Sequence, residues 1–189
     1  MKIKFCGMTN LDDALAAVDL GVDFVGFVFY PKSKRFISYD KVKDIIKNIN
    51  DSVKTVGVFV EQDEKEIKTA MEYCRLDYAQ VYHDFQGFNS IRVYRVAGRL
   101  PAVKSDGLIL FDSYTKSVGG SGIAFDKSLI KNVDYKNRLF IAGGIGINNI
   151  DEIVDIDPFA VDLVSSIEAY PGKKDIKKMK EFMKIVKGF

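Results

Sequence analysis

Residues 2–29 read KIKFCGMTNLDDALAAVDLGVDFVGFVF, and this stretch decides the fold. Lys2 to Cys6 alternates polar and apolar side chains, as a strand does when its two faces meet different surroundings. Asn10, with Asp12 and Asp13 behind it, is a good N-cap followed by acidic first-turn residues, and the spacing predicts a helix to Leu20. A second β-rich run, Asp23 to Phe29, follows at once. Strand, helix and strand in so short a span form a βαβ unit, whose parallel strands require a right-handed crossover.

Working outward, the same alternation recurs along the chain. Further strands are expected at Val53 to Val60, Tyr78 to Tyr82, Ile91 to Val96, Gly107 to Asp112, Arg138 to Ala142 and Ala160 to Ser165. Helical spacing falls at Tyr39 to Ile49, Asp63 to Arg75, Asp126 to Asn132, Asn148 to Asp155 and Lys174 to Lys187. Eight strands with intervening helices predict an α/β protein, a single-domain (β/α)8 TIM barrel spanning residues 1–189; an open doubly wound sheet is the rival. At ~24 residues per unit the barrel is smaller than the usual ~250-residue example. The connections His83 to Ser90 and Gly98 to Ser105, the latter holding Pro101, leave the fourth and fifth helices short or missing.

Composition narrows the function classes. The 189 residues carry 28 Lys plus Arg against 26 Asp plus Glu, so no excess of basic charge points to nucleic acid. The cluster Lys173 to Lys184 has Ile176, Met179, Phe182 and Met183 at helical spacing and reads as a helix with a solvated outer face. No apolar run approaches the ~20 residues of a membrane span, and the opening residues lack the apolar core of a secretory signal. The expected setting is cytoplasmic, with no membrane partner. Two cysteines and one histidine support neither a disulfide framework nor a metal site. Cys74, beside Tyr73 on a helix, reads as core packing.

In such a barrel the active site lies at the C-terminal ends of the strands. Parity on the first strand sends Ile3 and Phe5 outward, and Lys2, Lys4 and Cys6 inward. On the sixth, Leu108, Leu110 and Asp112 point inward, so an aliphatic floor ends in a carboxylate. Cys6 and Asp112, facing each other across one rim, look like a general base and a general acid. A thiol base needs positive charge to favour its thiolate, and Lys4, one inward layer below, is the candidate. Gly119-Gly120-Ser121-Gly122 follows the sixth strand, Gly143-Gly144-Ile145-Gly146 the seventh, and Ser165-Ser166 ends the eighth. Glycines let free amides approach an anion, and barrels commonly bind phosphate after strands seven and eight, so the expected ligand is a small phosphorylated substrate. Arg35, in the basic loop after the second strand, can pair bidentately with a carboxylate.

Several motifs occur together in this order: Lys4-Phe5-Cys6-Gly7-Met8-Thr9, Gly26-Phe27-Val28-Phe29 with Ser33-Lys34-Arg35, Leu110-Phe111-Asp112, Gly119 to Gly122 with Phe125-Asp126, Ala142 to Ile145 with Asn148-Asn149, and Val161-Asp162 with Ser165-Ser166, Glu168 and Pro171 to Asp175. In these the chain resembles the phosphoribosylanthranilate isomerase family. The resemblance implies a cofactor-free, metal-free Amadori rearrangement of N-(5'-phosphoribosyl)anthranilate to 1-(2-carboxyphenylamino)-1-deoxyribulose 5-phosphate in tryptophan biosynthesis, by a monomer or homodimer. It implies Asp112 as general acid and Cys6 as general base, Arg35 at the anthranilate carboxylate, Asp162 near the substrate, and Gly143, Gly144, Ser165 and Ser166 at the phosphate. Two departures stand out. Gln80-Val81-Tyr82-His83-Asp84 places Tyr82 where a Gln-Leu-His-Gly segment has its histidine, so His83 is either that histidine displaced by one residue or a surface loop residue. Lys34 replaces a frequent proline. Rival readings are another sugar-phosphate isomerase or epimerase barrel, and a non-catalytic barrel that binds a phosphoribosyl ligand.

Overall fold

Strand β1 (Lys2–Cys6) shows why the chain closes on itself. Ile3 and Phe5 are fully buried against the surrounding helices, while Lys4 is equally buried on the other face, inside a barrel. In this computed structural model, which describes residues 1–85, 89–113 and 126–188, seven more parallel strands follow: β2 (Phe24–Val28), β3 (Lys54–Phe59), β4 (Tyr78–Val81), β5 (Ser90–Val96), β6 (Leu108–Ser113), β7 (Leu139–Ile141) and β8 (Ala160–Leu163). They pair in sequence order, and β8 returns to β1, placing Lys4 beside Asp162. The closed barrel is the expected one, and the open sheet is excluded.

Five α-helices among the described residues lie outside it: α1 (Leu11–Asp19), α2 (Tyr39–Asn48), α3 (Glu64–Cys74), α4 (Ile150–Val154) and α5 (Ile176–Lys187). Local chemistry sets their ends. The Asn10 side chain accepts from the Asp13 amide at 3.0 Å to start α1, and Asp63 with Glu66 forms a reciprocal capping box on α3. α5 lays Met179, Phe182 and Met183 on the barrel, with Phe182 edge-on to Phe5 at 6.3 Å. Burying a side chain of this size contributes about 1.5–3 kcal/mol, so a few such contacts fasten the last helix. Ile176, expected on that apolar face, lies at the helix start and is exposed. Cys74 is buried in the outer core, as its place beside Tyr73 suggests.

The connections depart from expectation where helical runs are short. Asp126 to Asn132 gives only a 3-10 turn at Lys127–Ile130, and residues 97–107 hold no helix. The eighth strand stops at Leu163, because Val164 leaves extended geometry and Ser165–Ile167 forms a 3-10 turn. An antiparallel hairpin, β9 (Glu168–Tyr170) with β10 (Lys173–Lys174), then intervenes before α5. Lys173 and Lys174 therefore belong to this hairpin rather than to a solvated helix, and Lys174 is buried. No helix among the described residues is long and apolar enough to cross a membrane.

Candidate active site

The lower barrel is plugged by Phe24, Val56, Ile91, Val93, Leu110, Phe140 and Ala160, with Phe24 and Phe140 edge to face at 5.2 Å. Polar groups sit above this floor. The Lys4 ammonium donates to Gln80 Oε1 at 3.0 Å and pairs with Asp162 Oδ2 at 2.9 Å. Asp162 Oδ1 is buried without a hydrogen-bond partner among the described residues. An unsatisfied carboxylate oxygen in the interior is costly unless something completes it, and Asp162 shares the inward parity of Ala160 on β8. Gly26 stands beside Cys6 in register; a Cβ there would lie 2.5 Å from Cys6 Sγ. The glycine is what leaves room for the thiol.

Charge around Cys6 is balanced between opposing effects. Burial pushes its thiol up and the neighbouring Asp162 adds to this, while the Lys4 and Lys174 ammoniums pull it down; burial prevails. The expectation that Lys4 favours the thiolate is right in direction, but Lys4 alone does not overcome burial. Burial would lower Lys4, but Asp162 and Cys6 hold it above its ordinary value. Burial likewise pushes the Asp162 carboxyl up, against the pull of Lys4.

Across the mouth, β6 carries Asp112 in register with Arg95 of β5, and both follow the inward parity of Leu110 and Val93. Tyr82, just beyond β4, packs on the inner cluster with the Arg95 guanidinium 5.3 Å from its ring centre. Burial and then the Asp112 carboxylate push the Tyr82 phenol up, with Arg95 opposing and Cys6 and Asp162 adding to the rise. Tyr82 thus feels both candidate catalytic groups. His83 lies in the loop beyond, its Nε2 2.8 Å from the Gln62 carbonyl oxygen.

Arg35 is already engaged. Its Nε and Nη2 donate to the two oxygens of Glu168 at 2.8 and 2.7 Å. Glu168 Oε1 also accepts from Lys174 Nζ at 3.2 Å and the Gly172 amide at 3.2 Å. Lys174 further donates to the carbonyls of Cys6, at 2.6 Å, and Val164. Buried Asp13 accepts from the Lys174 amide at 2.8 Å and pairs with Lys173. The β9–β10 hairpin is therefore a strap that ties the ends of β8 and β1 to α1 and to the loop holding Arg35.

The candidate phosphate loops lie together. Gly143 and Gly144 both adopt left-handed backbone, and a Cβ on Gly143 would meet the Ser113 Oγ at 2.3 Å. Asn149 pins the loop by accepting from the Gly146 amide and donating to the Gly144 carbonyl, each at 2.9 Å. Gly146 abuts Ser166, so the loops after β7 and β8 touch. Gly119 to Gly122 and Phe125 fall outside the described residues.

Among the residues expected from sequence, Cys6, Asp112 and Asp162 converge on the barrel mouth, and Gly143, Gly144, Ser165 and Ser166 flank it. Arg35 reaches the rim but spends two nitrogens on Glu168. Sequence reasoning gave no role to Lys174, Arg95 or Tyr82. Parity would have found Arg95, two residues beyond Val93; nothing local marks Lys174.

The model of the family described as N-(5'phosphoribosyl)anthranilate (PRA) isomerase matches residues 3–185. The chain is 39% identical to the N-(5'-phosphoribosyl)anthranilate isomerase of Thermotoga maritima, over all of this chain and 99% of that protein. The crystal structure of the Thermus thermophilus phosphoribosyl anthranilate isomerase superposes with a TM-score of 0.90 at 30% identity, covering 100% of this chain and 99% of that one. A further isomerase structure, in complex with reduced 1-(o-carboxyphenylamino)-1-deoxyribulose 5-phosphate, superposes with a TM-score of 0.82 at 34% identity, with full coverage of both chains.

Proposed function

The chain belongs to the N-(5'-phosphoribosyl)anthranilate isomerase family, enzymes of tryptophan biosynthesis, and from that premise we propose that Cys6 and Asp112 perform its proton transfers. Asp112 gives a proton to the furanose ring oxygen. The C1'–O4' bond breaks, and the nitrogen lone pair forms an iminium at C1'. Cys6, as thiolate, removes the proton from C2'; the C2'–H electrons form the C1'–C2' double bond and neutralise the nitrogen. The resulting enolamine takes a proton at C1' and loses one from the C2' hydroxyl, leaving the ketone. No atom is gained or lost.

The observation that carries this reading is the placement of an inward thiol on β1 and an inward carboxyl on β6, facing one another above an apolar floor. The iminium adds positive charge to that of Lys4 and Lys174, so thiolate is favoured at the step that needs it. Gly143, Gly144, Ser165 and Ser166 hold the phosphate, with Asn149 fixing the loop that presents the glycine amides. Asp162 accepts a sugar hydroxyl on its unpartnered oxygen. Arg35 shapes the rim through Glu168.

The test follows the loss of phosphoribosylanthranilate fluorescence, with substrate generated in place. Wild type turns over without added metal, Cys6→Ala is inactive, and Asp112→Asn is cut at least a hundredfold, as expected for loss of a general acid. Near-normal turnover by either variant removes that residue from the mechanism.

A further inference from the structure

Arg35, the residue expected at the substrate carboxylate, stands at the rim with only part of its guanidinium in use. Its aliphatic stem crosses Gly7, the residue after Cys6: a Cβ on Gly7, whose φ is +78°, would lie 2.8 Å from Arg35 Cδ. Nε and Nη2 donate along one edge to the two oxygens of Glu168, at 2.8 and 2.7 Å. A guanidinium has five N–H donors in a fixed fork, and a carboxylate held by Nε and Nη2 uses two of them. The next edge, Nη1 with the second hydrogen of Nη2, keeps two parallel N–H groups that match a carboxylate equally well. Nη1 meets no acceptor among the described residues.

Charge decides whether that edge can take an anion. An isolated Arg–Glu pair is neutral, but Glu168 is shared. Lys174 Nζ donates to three oxygens, Glu168 Oε1 at 3.2 Å and the carbonyls of Cys6 and Val164, which is the full complement of an ammonium. Two cations therefore stand on one carboxylate, and the cluster keeps a net positive charge at the Cys6 end of β1. The acid is also held in place. The Gly172 amide donates to Glu168 Oε1 at 3.2 Å, and Gly172, at φ +91°, sits where a Cβ would press to 3.0 Å from the Lys34 carbonyl oxygen. The hairpin that carries Glu168 thus packs directly on the loop that carries Arg35.

Resting on the expected place of the substrate carboxylate at Arg35, we propose that Glu168 is a positioning residue for substrate recognition: it grips Arg35 along one edge and presents the other, already ordered, to that carboxylate. An arginine gives up much rotamer freedom when it binds an anion, and the hairpin removes that freedom beforehand. Lys174 keeps the cluster cationic, so the resident carboxylate orients the guanidinium without cancelling its attraction. Glu168 touches no reacting atom and acts through Arg35 alone.

The test is a double-mutant cycle read on two substrates, N-(5'-phosphoribosyl)anthranilate and N-(5'-phosphoribosyl)aniline, which differ only in the carboxylate. The readout is the ratio of kcat/KM on the two, which does not depend on the fraction of a variant that folds. Charge-assisted hydrogen bonds contribute enough for about a ten- to hundredfold preference for the anthranilate, expected of wild type and lost in Arg35→Ala. Glu168→Gln cuts the preference by about five- to tenfold, part of what the rotamer freedom of one arginine can supply. The loss falls mainly on KM for the anthranilate substrate, and the same change in the Arg35→Ala background cuts nothing further. Glu168→Asp, which keeps the charge and shortens the reach, gives an intermediate preference and decides the matter where the glutamine variant does not fold. A merely structural role lowers both kcat/KM values together and leaves the ratio unchanged, which overturns the proposal. A higher preference in Glu168→Gln overturns it too, since Glu168 is then a competitor for Arg35. A preference that survives Arg35→Ala instead refutes the carboxylate reading of Arg35, and the proposal falls with it.

Discussion

Replacing Glu168 by Gln tests whether the hairpin strap holds the site together. The side chain is 4% exposed, and its partners Arg35 and Lys174 are 11% and 0% exposed at the side chain. Glu168 accepts four hydrogen bonds: two from Arg35, one from Lys174 and one from the Gly172 amide. Glutamine keeps the shape but turns one oxygen into a donor and removes the charge, so two buried cations lose their counter-ion. Breaking a buried pair from one side costs about 3–5 kcal/mol. For a domain of this size each kcal/mol moves Tm by about 2–4 °C, so at pH 7 the variant should melt about 6–20 °C below wild type. The pH dependence has a definite sign. Burial alone would raise the Glu168 carboxyl, but Arg35, Lys174 and the Gly172 amide hold it below the ordinary 4.5. A group depressed in the folded state contributes its stability above the unfolded value and loses it as pH falls through the folded one. The gap between wild type and Glu168→Gln should therefore be full at pH 7 and narrow below about pH 4, as read by calorimetry across that range. A gap under about 2 °C at pH 7, or one unchanged at pH 3, refutes the reasoning.

Two further outcomes follow from the same geometry. Gly26→Ala places a methyl 2.5 Å from Cys6 Sγ and 3.2 Å from its Cα, so the thiol must rotate or β1 must shift. Overpacking of this kind costs about 1–3 kcal/mol, and kcat should fall far more than stability; a variant with unchanged kcat contradicts the placement of Cys6. Thiolate absorbance near 240 nm, taken as the difference between wild type and Cys6→Ala, should show Cys6 ionising only above the ordinary thiol value of 9.0, since burial outweighs Lys4. Lys4→Met should push that ionisation higher still. Cys74, raised by burial to about 11, is common to both proteins and cancels; ionisation of Cys6 below 9.0 would overturn this picture.

The barrel was legible because its evidence is local and repeated. Alternation in Lys2 to Cys6, the Asn10 cap and the β-rich run at Phe24 state one βαβ unit, and similar signals recur down the chain. Parity then places Cys6 and Asp112 inside without any knowledge of partners, and both strands obey it. Strand ends were less legible. Val81 to Tyr82 and Leu163 to Ser165 look equally β-rich in sequence, yet Val164 turns away because its carbonyl is taken by Lys174 from ten residues on. The short turn at Lys127–Ile130 fails as a helix because four residues cannot offset the cost of nucleation.

Charged side chains were the least legible part, for a physical reason. A lysine in sequence carries no record of the oxygen it will meet, and the partners here are far apart in the chain. Lys174 reads as one more cation in a basic run, yet it is buried against the Cys6 carbonyl, 168 residues away. Arg35 reads as a free carboxylate receptor, yet Glu168, 133 residues on, closes its fork. Closure of β8 onto β1 produces both meetings, since it brings the hairpin after β8 over the end of β1.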